Sequence, residues 1–267
     1  MTAHGPSTNA YVQDAVSLVL KLHRTQPAGS ILLFLTGQEE IDRACRMLDE
    51  QDREQEHEHA GRMTLEMIPL YGSLSAEAQA RAFAAPRGER GVRKVIVATN
   101  IAETSVTVPD VKYVVDPGFV KQTTYNPERG MEALVVVPIS KVSAQQRAGR
   151  AGRTSAGQCY RLYSKECYAN MMTETVPEIK RSNLGSTVLY LKALGITDVL
   201  GFEYFESPDH DQLEEALLLL FCLGALDAHG TITECGVDMS KFPVEPQLAR
   251  MLLKSADEGC TEEAVII

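Results

Sequence analysis

Apolar residues recur at Val12, Ala15, Val16, Val19, Leu20 and Leu22, the spacing of a helix with one buried face, and Pro27-Ala28-Gly29 ends it. Ser30–Leu35 (SILLFL) is then continuously apolar, as expected of a strand covered on both faces of a parallel sheet. Thr36, with Glu39 three residues on, reads as a capping box that opens a helix through about Asp49 and accounts for Glu39 without catalysis. Thr64–Pro69, Lys94–Ala98 (KVIVA) and Lys112–Asp116 (KYVVD) predict further strands, and Ser75–Ala84 predicts a helix. Alternation of this kind indicates an open α/β sheet, whose ligands sit beyond the carboxyl ends of the strands. The loops to read are therefore 36–40, 71–75 and 99–107.

The texture changes further on. Phe119–Tyr125 and Glu132–Val137 flank the turn-rich Asn126–Gly130 and predict a hairpin. Ser182–Leu194 and Gln212–Leu223 predict amphipathic helices, Gly230–Phe242 a short wing-like hairpin, and Pro246 the start of another helix. A second, largely helical domain is expected from about Thr173, and there are no internal repeats.

The 267 residues give room for two modest domains with a real core. The longest apolar run, Ala216–Leu226, falls short of the ~20 residues of a membrane span. Met1–Ala10 lacks the basic start and apolar core of a signal peptide and reads as a linker. Six scattered cysteines include no C-x-x-C pair, so they read as idle thiols, and no metal site is expected. Net charge is −10, which by itself opposes nucleic acid as a partner. The distribution qualifies that: residues 49–59 carry six acids, a solvated helix end, whereas residues 133–165 carry none and hold six cations.

Those cations centre on Gln145-Gln146-Arg147-Ala148-Gly149-Arg150-Ala151-Gly152-Arg153. On a helix, arginines every third residue would spread over about one-third of the circumference. Two glycines in a helix cost about 1 kcal/mol each, so stability alone does not explain this segment. Small residues permit close approach, and guanidinium forks match phosphate oxygens in pairs. The spacing fits either arginine fingers on a transferring phosphoryl group or a stripe binding RNA backbone. Thr99-Asn100-Ile101-Ala102-Glu103-Thr104-Ser105-Val106-Thr107 follows a buried strand and offers hydroxyls, an amide and N–H groups, suited to phosphate or to ordinary turn chemistry. Gly37 allows a ligand to approach the backbone closely.

Taken in order, TGQEEI (36–41), ATNIAETSVTV (98–108) and QQRAGRAGR (145–153) resemble motifs IV, V and VI of the DEAH-box/RHA family of superfamily 2 RNA helicases. Val115–Lys121, Tyr125–Pro127, Pro138–Lys141, Cys159–Tyr163, Val176–Ile179, Arg181–Leu184 and Phe242–Pro246 agree, so the likeness runs from Tyr11 to Ile267. The resemblance implies a linker (1–10), a second RecA-like domain with helices on both faces of a parallel sheet (11–172), a mostly helical winged-helix domain (173–243) and the start of a helical ratchet region (244–267). It implies arginine fingers at Arg150 and Arg153, with Gln146 positioning the attacking water. Ser105 and Thr107 would lie near the nucleotide, Phe83 would stack on adenine, and Gly37, Ser73, Thr99 and Asn100 would touch single-stranded RNA. The hairpin about Asn126–Gly130 would act where strands separate. In one departure, Pro109-Asp110 stands where the family often has its acid one position earlier.

No G-x-x-x-x-G-K-[ST] occurs, and no strand ends in a paired acid. In the family those parts hold ATP and Mg2+ on a first RecA-like domain, the expected partner lobe here, so this chain alone is expected to be inactive. The likeness admits an activating protein partner, involves no membrane, and implies an intracellular location, nucleus ahead of cytoplasm. A non-enzymatic half-helicase that binds RNA or protein is the alternative. A dinucleotide oxidoreductase is opposed by the absence of G-x-G-x-x-G after a strand.

Overall fold

The computed structural model describes residues 10–56, 63–84, 91–104, 108–126, 131–153 and 156–266. It divides into two units, residues 1–122 with 135–175, and residues 123–134 with 176–267.

The first unit is built on five parallel strands in the order β2-β3-β1-β4-β7, where β1 is Ser30–Phe34, β2 Thr64–Leu70, β3 Val92–Ala98, β4 Val111–Asp116 and β7 Gln158–Arg161. Successive side chains of a strand point to opposite faces, and here both faces are covered. Ile31, Leu33, Val95, Val97 and Val115 pack under α1 (Ala10–Thr25) and α2 (Gln38–Glu56). Leu32, Phe34, Ile96, Ala98 and Val114 pack on the other face with Ala82 of α3 (Ala76–Phe83) and Ala102 of α4 (Ile101–Thr104). That double cover is why SILLFL and KVIVA are apolar without alternation.

Two cations of β3 close helix ends. Buried Arg93 donates to the carbonyls of Leu22, Gln26 and Pro27 at the end of α1. Its neighbour Lys94 points to the other face and donates to those of Arg81 and Ala84 at the end of α3. Each satisfies carbonyls that a helix C-terminus leaves unpaired.

The predicted helix after Thr36 is present but starts at Gln38, and its cap differs from expectation. Glu40, not Glu39, reaches back: its Oε2 accepts from the N–H (3.0 Å) and the hydroxyl (2.8 Å) of Thr36. Ile41 N–H donates to the Gly37 carbonyl, which makes Gly37 the last residue before the helix and shifts the pairing by one. The Tyr11 hydroxyl also donates to Glu40, tying α1 to the same turn.

β5 (Phe119–Asn126) and β6 (Met131–Pro138) form the expected two-stranded sheet, while the turn at 127–130 lies outside the described residues. After α5 (Lys141–Ala148) and β7, a short α6 (Lys165–Asn170) completes the first unit.

The second unit packs α7 (Gly185–Ala193), α8 (His210–Cys222), α9 (Glu234–Met239) and α10 (Pro246–Glu258) around Val188, Leu189, Leu213, Leu220, Leu226 and Met239. A final α11 spans Thr261–Ile266. Here the expected wing at Gly230–Phe242 is corrected. Strand-like pairing there is confined to one antiparallel bridge, Leu226 with Ile232, and the middle of the segment is the helix α9. Thr233 caps that helix by accepting from Gly236 N–H at 3.0 Å, and a cap this local outcompetes a second strand.

Gly236 is fixed by packing. A Cβ there would meet Ile232 Cγ1 at 2.8 Å and the Ala225 carbonyl carbon at 3.0 Å, and backbone cannot step aside. Gly236→Ala is expected to cost about 1–3 kcal/mol in urea unfolding, as overpacking does. A stabilised variant would refute this packing.

Among the described residues no helix is long and apolar enough to cross a membrane.

Candidate nucleotide and nucleic-acid site

The segments that stood out for their chemistry leave the carboxyl ends of adjacent strands. Thr36-Gly37 follows β1, Ser73 lies in the turn after β2, and Thr99-Asn100 follows β3. Since β3, β1 and β4 are neighbours in the sheet, the segments leaving β1 and β3 start side by side at its carboxyl edge, the edge where open α/β sheets bind ligands.

Thr99 N–H donates to the Leu70 carbonyl, pinning Thr99 to the end of β2. The carbonyls of Thr99 and Asn100 accept from Ala102 and Glu103, so both residues open α4 rather than an irregular loop. Thr99 is half-buried and Asn100 exposed. Ser105 and Thr107 lie outside the described residues.

Motif-like QQRAGRAGR is not one helix. α5 is capped by Ser140, whose hydroxyl accepts from Ser143 N–H, and ends at Ala148, so Arg150 and Arg153 lie in the turns beyond it. The three arginines therefore do not form a stripe, and they have two different environments.

Arg147 is fully buried. Its Nε and one terminal nitrogen both lie 2.7 Å from Glu103 Oε1, and the other terminal nitrogen is 2.9 Å from Asp116 Oδ1. Its guanidinium lies 4.7 Å from the centre of the Phe34 ring. Asp116 also accepts from Gly118 N–H and from the Tyr163 hydroxyl, each at 2.9 Å. Gly118 has φ +85°, and a Cβ there would collide with the Tyr163 ring at 2.6 Å, so glycine is required twice over. A buried ion cluster is tolerable only when its charges are paired, and here the one guanidinium faces two carboxylates, of which Asp116 is braced by two further donors.

Arg150 is held by its backbone, whose N–H donates to the Arg147 carbonyl, and by Nε at 3.4 Å from the Gln146 carbonyl. Burial first, and then repulsion from Arg153, pull its guanidinium below the ordinary arginine pKa, while Glu103 opposes them. Arg153 itself is exposed.

Gly37 lines a cleft of about 400 Å3 with Thr36, Glu39, Arg43, Arg46 and Lys121. Ser73 is exposed, with Oγ 3.5 Å from Gln38 Oε1, which brings the turn after β2 to the start of α2. Phe83 ends α3, half-buried against the apolar cluster that Ile101 and Ala151 also border.

The structure thus links Gly37 with Ser73, and Thr99-Asn100 with Arg150 through Glu103 and Arg147. Glu103, Asp116 and Tyr163 were given no role from sequence, and Arg147 was read only as one of three like arginines; the one available signal for the cluster was an acid closing an apolar strand, KYVVD. Among the described residues no group of three or more His, Cys, Asp or Glu side chains could hold a metal ion. The six cysteines are unpaired, and none is fully buried.

Known proteins are similar to this chain in sequence and fold. Residues 14–155 match the family described as "Helicase conserved C-terminal domain", and residues 216–244 match "Helicase associated domain (HA2), winged-helix". The chain is 46% identical over 261 residues to "Pre-mRNA-splicing factor ATP-dependent RNA helicase prp22" of Schizosaccharomyces pombe, covering 96% of this chain and 22% of that protein. It is equally 46% identical over 258 residues to "Probable ATP-dependent RNA helicase DHX35" of Homo sapiens, covering 96% of this chain and 36% of that one. The chain therefore spans between a fifth and two-fifths of the length of these relatives. A crystal structure of the Escherichia coli DEAH/RHA helicase HrpB superposes with a TM-score of 0.82 at 31% identity, over 99% of this chain and 32% of that one. On sequence and fold together, the chain belongs to the DEAH-box/RHA helicase family, of which it carries the conserved C-terminal domain and the associated HA2 winged-helix segment.

Proposed function

We propose that the full-length protein is an ATP-dependent RNA helicase and that residues 11–172 form its second motor lobe, followed by a winged-helix domain (173–243) and the start of a ratchet region (244–267). Arg150 and Arg153 act on the ATP phosphates, and Gln146 orients the attacking water. Ser105 and Thr107 lie near the nucleotide, and Phe83 packs on adenine. Gly37, Ser73, Thr99 and Asn100 hold the backbone of single-stranded RNA. Backbone contacts of that kind give salt-dependent, weakly sequence-selective binding.

The observation that carries this reading is the division of labour among the three arginines. Arg147 is consumed by two buried carboxylates, while Arg150 and Arg153 lie in the turns past the end of α5, and the reading gives their guanidinium groups to a phosphate. Planar guanidinium groups can each meet two phosphate oxygens as charge develops on them.

The described residues do not suit Mg2+, since they offer no acidic cluster. We assign that ion, and the loop that cradles the phosphates, to a first RecA-like domain, and no step here runs through the metal. This chain alone is therefore expected to turn over no ATP above background. Robust turnover by the pure chain would defeat the two-lobe reading. In the full-length protein, Arg150→Ala should abolish ATP turnover and leave RNA affinity nearly intact.

The splicing-factor name of the fission-yeast relative supports RNA processing in the nucleus as the setting, with room for an activating protein partner. The net charge of −10 favours one other reading, a non-enzymatic module docked on protein. RNA affinity indifferent to nucleotide in the full-length protein, with ATP turnover at background, would favour that module.

A further inference from the structure

The contacts between motif-like segments V and VI run through one carboxylate. Glu103 closes the single turn of α4 that Thr99 and Asn100 open, and its N–H is bonded to the Asn100 carbonyl at 2.9 Å. The residue is buried, and one carboxylate oxygen accepts from Arg147 Nε at 2.7 Å and lies 2.7 Å from one of its terminal nitrogens. Arg147 in turn accepts, through its carbonyl, the N–H of Arg150 at 3.1 Å.

The two anchors of Arg147 are unlike. Asp116 ends a central strand and is braced by Gly118 N–H and the Tyr163 hydroxyl, so it is part of the sheet. Glu103 stands on a four-residue helix entered directly from Thr99 and Asn100, the latter exposed. A displacement of Thr99-Asn100 must therefore move Glu103 against a guanidinium that the sheet holds by its other end.

From this we propose that Glu103 is a positioning residue that couples occupancy of the RNA-contacting turn to the placement of Arg150, so that RNA accelerates ATP turnover by way of the Glu103–Arg147 ion pair. This rests on the roles given above to Thr99, Asn100 and Arg150. The carboxylate touches neither RNA nor ATP; it acts through Arg147. Contiguous packed and ion-paired groups with two arrangements are the physical route by which separate sites exchange free energy.

The test measures ATP turnover with and without saturating single-stranded RNA, in full-length wild type and Glu103→Gln, together with RNA affinity and melting temperature. Glu103→Gln keeps the shape but removes the charge that holds two nitrogens of Arg147. The ratio of RNA-stimulated to unstimulated turnover should fall by about tenfold, within the usual range of coupling between sites. RNA affinity should stay within about twofold of wild type, because no RNA contact is removed. A merely structural Glu103 would lower both turnover rates in parallel and leave their ratio unchanged, and that outcome overturns the proposal.

Glu103→Asp, which keeps the charge but shortens the reach by one methylene, serves if the glutamine variant unfolds. It should lose the same ratio, and a wild-type ratio there refutes the coupling. Arg150→Ala is assayed alongside. If it retains turnover, the arginine-finger reading fails; if it abolishes turnover while the Glu103 variants keep a normal ratio, the coupling alone fails.

Discussion

Arg147→Ala should destabilise the first unit by about 3–5 kcal/mol, the cost of breaking a buried ion cluster by removing one partner. Alanine leaves Glu103 and Asp116 close together, both buried, with no cation between them. It also opens space beneath the Phe34 ring, against which the guanidinium lies. The desolvation of two carboxylates, rather than the lost attraction, supplies most of the expected effect. Urea unfolding should show a lower midpoint at unchanged slope, and the melting temperature should fall by on the order of 10 °C. Tyr163→Phe removes one hydrogen bond from Asp116 and should cost only about 1 kcal/mol, since two other donors remain. A loss below about 1 kcal/mol for Arg147→Ala would mean that water reaches the cluster and that the charges are not buried in solution.

The sheet was legible where burial on both faces left unbroken apolar runs, as at Ser30–Leu35 and Lys94–Ala98. It was illegible at β7. Gln158–Arg161 lies at the sheet edge, half exposed, so QCYR carries no apolar run to announce a strand. In the second unit, Gly236 and Val237 weaken the local case for a helix, and the Thr233 cap and the close approach to Ala225 decide for one. The cap at Thr36 failed by a single residue, because Gly37 intervenes and moves the partner from Glu39 to Glu40.

The candidate site was legible as chemistry but not as geometry. Arginine spacing suggested chemistry suited to phosphate, and that reading assumed a continuous helix. The helix stops at Ala148, and that stop is what separates the buried Arg147 from the pair beyond it. Nothing local distinguishes Arg147 from Arg150. The difference arises from Asp116 and Glu103, which are 31 and 44 residues away along the chain.

Arg150→Ala, made in the full-length protein, should lower ATP turnover by about a thousandfold or more, the range in which arginine fingers act. The size follows from where the charge works. A guanidinium aimed at developing phosphoryl charge stabilises the transition state more than the ground state, so its removal lowers kcat while changing nucleotide affinity far less. The fold should survive, because Arg147 keeps both carboxylates and removal of Arg150 relieves its repulsion with Arg153. Arg150→Lys should rescue little, since a point charge does not reproduce a planar fork. The competing role, an RNA-backbone contact, has a different signature. Loss of one phosphate contact weakens RNA binding at every sequence and lowers the slope of log affinity against log salt by about one. Turnover at saturating RNA would then be largely retained. Measuring kcat at saturating RNA and the salt dependence of RNA binding on the same variant separates the two: a lost kcat with an unchanged slope assigns Arg150 to ATP, and a retained kcat with a reduced slope assigns it to RNA.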